Sequence, residues 1–182
     1  MADDFSRLVS LACHDLRTPL ATVQGFAKTM LRMEDLDAEK RTRYLGLIDT
    51  SADELASLLD LVSLAARIEG GRYDPVVREL DSLSVAPDGA TGAGATVLGD
   101  PEPVERGLAA LKRAAERHGG VEVAVAVDGP RVSFAPVTGD AAPVVLGEDA
   151  KDLGAAVAVK LVRAIGGQVA VEGERLTVTL PQ

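Results

Sequence analysis

The chain has 182 residues, of which 47% are apolar and 26% charged, enough for one or two domains with a real core. Its formal net charge of -9 argues against nonspecific binding to DNA or RNA, whose phosphates need a basic surface. Cys13 is the single cysteine and Trp is absent, so an intramolecular disulfide and a thiolate zinc cluster are excluded and packing rests on Leu, Val and Ala.

At ~100° per residue, Phe5, Leu8, Val9, Ala12, Leu16, Leu20, Val23, Ala27 and Met30 share one arc, which predicts a long amphipathic first helix. His14 projects almost opposite the centre of that arc. Thr18 follows it one turn on, Arg7 lies two turns before it, and Ala21 and Gly25 continue the line. Small neighbours leave room for a partner to approach the ring. Pro19 lacks an N–H and crowds the preceding turn, so a bend is expected just after the histidine. Cys13, at the edge of the arc, is expected to be a small buried thiol.

Glu34-Asp35-Leu36-Asp37 interrupts the pattern. Asp37 is placed to cap a second helix from about Ala38 to Ile68, with Glu39 in its first turn and Lys40 where a capping box would have Glu or Gln. Tyr44, Ile48, Ala52, Leu55, Leu59, Val62 and Ala66 recur at steps of three and four, and Gly70-Gly71 stops the helix. Two helices cannot cover two such stripes by pairing only with each other. A homodimer whose hairpins form a four-helix bundle is the simplest solution.

From Arg72 the grammar changes. Pro75 and the run Ala86 to Ala95 are expected to be a junction and a mobile loop, and the glycines lack the Lys-Ser/Thr pair and helix start of a phosphate loop. Thr96–Leu98 is expected as a strand and Pro101–Arg117 as a helix. Val121–Val127 and Val132–Val137 form an antiparallel pair about Asp128-Gly129, a helix runs from about Ala150 to Ile165, and a hairpin of Gln168–Glu172 and Arg175–Leu180 ends the chain. The order βαββαββ predicts helices on one face of a mixed sheet, giving an α+β chain with domains at 1–71 and 72–182. His118 is expected to complement the end of its helix, and Glu148, Asp149 and Asp152 to be a solvated loop and helix start.

His14-Asp15-Leu16-Arg17-Thr18-Pro19-Leu20 resembles the phosphoacceptor box of sensor histidine kinases, H-[DE]-L-[KR]-T-P-L. The stretch from Tyr44 to Gly71 resembles their second helix, and the resemblance also implies dimerisation through the hairpin. Gly99-Asp100-Pro101-Glu102, Asp152-Leu153-Gly154-Ala155-Ala156-Val157 and Gly166-Gly167 are similar to parts of their ATP-binding domain. Other parts are missing. Ala114 stands where the family has the asparagine that holds magnesium, Thr138-Gly139-Asp140-Ala141-Ala142 stands where an aspartate reads adenine, and the lid segment is short. Magnesium takes oxygen ligands, which alanine lacks.

A neutral imidazole is a competent nucleophile toward phosphorus, and Asp15 is a group able to accept a proton or hold one tautomer. The resemblance implies the base role for Asp15 and, for Thr18, placement of the water that hydrolyses a partner's aspartyl phosphate. The leading expectation is a histidine phosphotransferase of a bacterial two-component phosphorelay. It would pass a phosphoryl group between receiver-domain aspartates of response regulators through His14, without ATP binding. The receiver would dock over Ala21 and Gly25 with Arg7 and Arg17 nearby. No cofactor or metal is expected in this chain, since magnesium would come with the receiver's acidic pocket. A phosphatase acting through Thr18, an atypical histidine kinase and a catalytically inactive adaptor are the alternatives. No stretch approaches the ~18 uncharged apolar residues of a membrane span. The acidic start Met1-Ala2-Asp3-Asp4 lacks the basic region of a signal peptide, so a cytoplasmic protein is expected.

Overall fold

The computed structural model describes residues 2–33 and 35–182; Met1, Glu34 and the side chains of residues 2–5, Phe5 of the apolar arc among them, lie outside the described set. Two helices come first, α1 (Ala2–Arg32) and α2 (Ala38–Glu69). On α1 the buried side chains are Leu8, Ala12 and Pro19, with Leu16, Val23, Ala27 and Met30 half-buried. These three centre the covered stripe on one flank of the apolar arc, and Val9 and Leu20 on the other flank stay exposed. Cys13 lies beyond that open flank and is exposed, which corrects the expectation of a buried thiol. The helix runs through Pro19. Having no N–H, Pro19 leaves the Asp15 carbonyl without its i+4 donor.

The two helices meet at Phe26 and Tyr44, whose ring centroids are 5.0 Å apart. Phe26 lies 18 residues, or about five full turns, after Leu8, so it shares the angle of a buried position. On α2, Tyr44, Ile48, Leu55, Val62 and Ala66 are half-buried, whereas Leu45, Leu47 and Leu59 are exposed in the single chain. Asp37 caps α2 as its sequence position implies. Its Oδ1 accepts the Lys40 N–H at 2.8 Å while Oδ2 pairs with the Lys40 ammonium at 3.0 Å. The backbone donor first, then the Lys40 side chain, hold the Asp37 carboxyl below the usual carboxylate range.

The chain divides into two compact units, residues 1–63 and 64–182, so the last turns of α2 count with the second. Within that unit Glu69 pairs with Lys160, and the Arg67 guanidinium lies over the Tyr73 ring at 5.9 Å. Burial raises the Tyr73 hydroxyl above its ordinary range, and the charge of Asp100 adds to it.

The second unit contains β1 (Arg78–Asp81), β2 (Thr91–Gly94), β3 (Thr96–Gly99), α3 (Pro101–Gly119), β4 (Ala124–Gly129), β5 (Arg131–Ala135), a short α4 (Ala142–Val145), α5 (Leu153–Ala164), β6 (Gln168–Glu172) and β7 (Arg175–Thr179). Five strands form a mixed sheet in the order β2-β4-β5-β7-β6, with β2 parallel to β4 and the remaining pairs antiparallel. Alternation decides the faces. Val125 and Val127 of β4, Val132 and Phe134 of β5 and Leu176 and Val178 of β7 point into the core against α3 and α5. Ala126, Ser133, Ala170 and Thr177 line the opposite face.

Three expectations fail here. The glycine run is not a loop, because Thr91–Gly94 is drawn into the sheet as an edge strand on β4. The strand at Thr96 leaves the main sheet to pair with β1, a strand the sequence reading did not contain. Finally, α3 continues past Arg117 and is closed by Gly120, whose φ of 66° no side chain favours and whose N–H reaches the Glu116 carbonyl at 2.9 Å. The short α4 was also unforeseen.

Gly92, at φ 122°, would carry any Cβ into the Val127 carbonyl oxygen, whereas a Cβ on Gly46 of α2 meets nothing. Gly92→Ala should therefore lower unfolding stability by about 1–3 kcal/mol, and Gly46→Ala should raise it by about 0.5–1 kcal/mol; urea titrations of the two variants measure both. The lowered Asp37 carboxyl makes the start of α2 most stable above the carboxylate range and progressively weaker as pH falls through its folded-state value. The Lys40 amide resonance should report that loss in an acid titration, and Asp37→Ala should remove the dependence.

Candidate functional site

His14 lies in the middle of α1 on the side opposite the buried stripe, and its side chain is 80% exposed. Its Nδ1 is 3.1 Å from Oδ1 of Asp15, whose own side chain is 28% exposed. A ring that donates its Nδ1 proton to that carboxylate leaves Nε2 with a free lone pair pointing outward. The contact orients the imidazole.

One turn on, Thr18 is exposed and its carbonyl accepts the Thr22 hydroxyl at 3.2 Å. Arg17, Thr18, Ala21, Thr22, Gly25, Phe26 and Thr29 line an open groove of about 690 Å³ along the hairpin. Four residues singled out in the sequence, Arg17, Thr18, Ala21 and Gly25, are thus brought together. Arg7 is exposed on α1 but outside the groove. Thr22, Phe26 and Thr29 were not named, although Phe26 has the helical angle of Leu8 and Thr22 and Thr29 follow Thr18 and Gly25 one turn along.

The geometry agrees with the comparisons. The histidine kinase A phosphoacceptor domain matches residues 6–71. Over this hairpin the chain is similar to sensor histidine kinases. Over 80 residues it is 38% identical to the sensor protein kinase PmrB of Pseudomonas aeruginosa, a stretch that is 44% of this chain and 16% of PmrB. Over 76 residues it is 34% identical to the sensor histidine kinase TrcS of Mycobacterium tuberculosis, 41% of this chain and 14% of TrcS. The chain therefore corresponds to a small part of these relatives. The structure of the histidine kinase AdeS of Acinetobacter baumannii shares the fold, with a TM-score of 0.61 at 19% identity, covering 92% of this chain and 97% of that one. The hairpin is thus a histidine kinase-like phosphoacceptor domain of two-component systems, and domains of this kind dimerise and signal to response regulators. Among the described residues, no helix is long and apolar enough to cross a membrane.

In the second unit, Ala114 is fully buried between Leu111 and Ala115 in the core. Asp140 is exposed. The helices α3 and α5 touch through small residues. A Cβ on Gly154 would come within 3.1 Å of the Ala110 Cβ, and one on Gly107 within 3.5 Å of the Ala158 Cβ. Among the described residues no group of three or more His, Cys, Asp or Glu side chains is arranged to hold a metal. Asp149 pairs with Lys151 at 2.7 Å. Asp152 marks the helix start expected there and caps α5, its Oδ1 accepting the Ala155 N–H at 3.0 Å, but it is only 8% exposed rather than solvated. His118 lies in the last turn of α3, as expected of a residue that complements the helix end, and its Nε2 lies 3.7 Å from Asp152 Oδ2.

Proposed function

We propose that this chain is a member of the sensor histidine kinase family and acts as a histidine phosphotransferase that moves a phosphoryl group between receiver-domain aspartates without drawing it from ATP. The observation that carries the reading is His14, 80% exposed with Nδ1 held by Asp15, beside a groove over Thr18, Ala21 and Gly25. The Nε2 lone pair attacks phosphorus of an aspartyl phosphate, the phosphorus–oxygen bond to that aspartate breaks, and the carboxylate leaves. Asp15 balances the charge that develops on the ring by taking up the Nδ1 proton. A second receiver's aspartate then attacks the phosphoramidate, the phosphorus–nitrogen bond breaks, and the imidazole leaves neutral as Asp15 returns the Nδ1 proton. Arg17 stands at the groove to offset phosphate charge. Magnesium comes with the receiver.

Two features of the second unit support transfer over autophosphorylation. Ala114 carries no oxygen and is fully buried, and Asp140 lies in an exposed turn rather than in a glycine-flanked nucleotide site. Exposed Leu20, Leu45, Leu47 and Leu59 support a homodimer, because a second hairpin would remove them from water.

Incubated with a phosphorylated receiver, the protein should acquire acid-labile phosphate and pass it to a second receiver. His14→Gln should abolish this, Asp15→Asn should slow it by about 10²–10⁴, and Thr18→Ala should leave it intact. Thr18 is exposed one turn from His14, which favours a second activity, hydrolysis of the receiver's phosphate, and Thr18→Ala should remove that alone. Label appearing on His14 from Mg-ATP would overturn the reading. Light scattering should return twice the 18.9 kDa chain mass, and Leu59→Glu should shift it toward the monomer.

A further inference from the structure

We propose that β6 is a self-pairing edge, by which two copies of the chain join antiparallel about Ala170 and fuse their five-stranded sheets into one of ten strands. The inference rests on the second unit alone and concerns a contact separate from the hairpin dimer.

β6 ends the sheet, and among the described residues no strand pairs with its outer side. Such an edge presents unpaired N–H and C=O groups, which proteins ordinarily guard with Lys, Pro, a bulge or a very short strand. Gln168–Glu172 has none of these, and its register with β7 runs unbroken over all five residues. The opposite edge, β2, has four residues of which two are glycines, and these weaken a strand. The turn decides which groups point outward. Glu172 and Arg175 flank the two-residue turn Gly173-Glu174, whose first position has a φ of 57°. A pair closing such a turn exchanges both backbone bonds, so Glu172, Ala170 and Gln168 bond β7 while Val169 and Val171 turn their N–H and C=O groups outward.

Those outward groups select the partner and its register. An antiparallel copy centred on Ala170 sets Val169 against Val171 of the second copy and Val171 against its Val169, so both valines of each strand exchange both bonds. Centring on Val169 instead would oppose Val171 to Gly167, whose N–H is already given to the Val162 carbonyl at 2.8 Å. Side chains agree with the same register. Val169 and Val171, half-buried against the core, meet their counterparts on the face that α3 and α5 cover. On the other face the Gln168 amide lies opposite the Glu172 carboxylate, and exposed Ala170 meets itself with neither bulk nor charge. Five residues a side make a small contact, so pairing grows with concentration and links hairpin dimers only when copies are crowded.

In the full chain carrying Cys13→Ser, Ala170→Cys should give a disulfide-linked dimer under mild oxidation at high protein concentration, because opposed residues of a non-bonded antiparallel pair bring their Cα atoms to about 4.5 Å. Ala126→Cys, exposed on β4 of the same sheet face, should not. In ¹⁵N spectra the wild-type Val169 and Val171 amides should shift as the protein is concentrated. Ala170→Lys and Ala170→Glu, each changing an exposed side chain, should each abolish that shift by opposing like charges, and an equimolar mixture of the two should restore it. Cross-linking no better at position 170 than at 126, or a mixture without recovery, would overturn the proposal. So would wild-type amides that stay unmoved on concentration and shift only when a different protein is added, which would assign the edge to that partner.

Discussion

Everything proposed for the first unit depends on one angular relation, the roughly half turn that separates His14 from the buried stripe of α1. Leu8, Ala12 and Pro19 must leave water, and on a helix of 3.6 residues per turn their burial forces position 14 outward. No loop or special backbone holds the ring in place. Asp15, the neighbouring residue, adds the second constraint by engaging Nδ1, so that exposure and ring orientation are both set locally. A nucleophile that must meet a separate macromolecule is well served by a position on a long rigid element with small residues alongside.

The second unit follows the opposite logic, with polar chemistry withdrawn from the interface of α3 and α5. Gly107, Ala110 and Ala114 on one helix and Gly154, Ala155 and Ala158 on the other are small enough for close approach. Close approach brings dispersion contacts and a dry interface. It also leaves no carboxamide on α3 at position 114. The fold is shared with a histidine kinase at 19% identity, which shows that the sheet and its two helices persist when many side chains change. A fold of this kind carries no activity by itself.

Much of this was legible because it is periodic. The stripes on α1 and α2, the Asp37 cap, the Val125/Val127 alternation and the Gln168–Thr179 hairpin each follow from spacing that local physics enforces. The seven-residue box around His14 pointed to the site, and the groove beside it contains four of the residues named from that box and its continuation. What escaped was set by partners distant in sequence. Thr91–Gly94 has the composition of a loop and becomes a strand because β4 offers an unpaired edge and because Gly92 fits where no side chain would. The pairing of β3 with β1 was invisible for the same reason, since Arg78–Asp81 shows no alternation of its own. Cys13 was misplaced because an apolar arc marks which residues tolerate burial, while the packing partner decides which flank is covered.

Asp152 shows the same limit from the other side. Read along the chain, it is one acid among Glu148 and Asp149 before a helix, and solvation is the natural assignment. Nothing local distinguishes it. Its burial arises from Arg117 and His118, 35 and 34 positions earlier, which reach it only because α3 lies against α5. A charge in such a place is stable only when its surroundings supply compensation, and here a helix pole and a guanidinium do so together. Removing the guanidinium would leave the carboxylate undercompensated, and removing the carboxylate would leave the guanidinium and the helix pole so. The cluster therefore ties the end of α3 to the start of α5 through charge, at the point where the small-residue contact between the two helices begins.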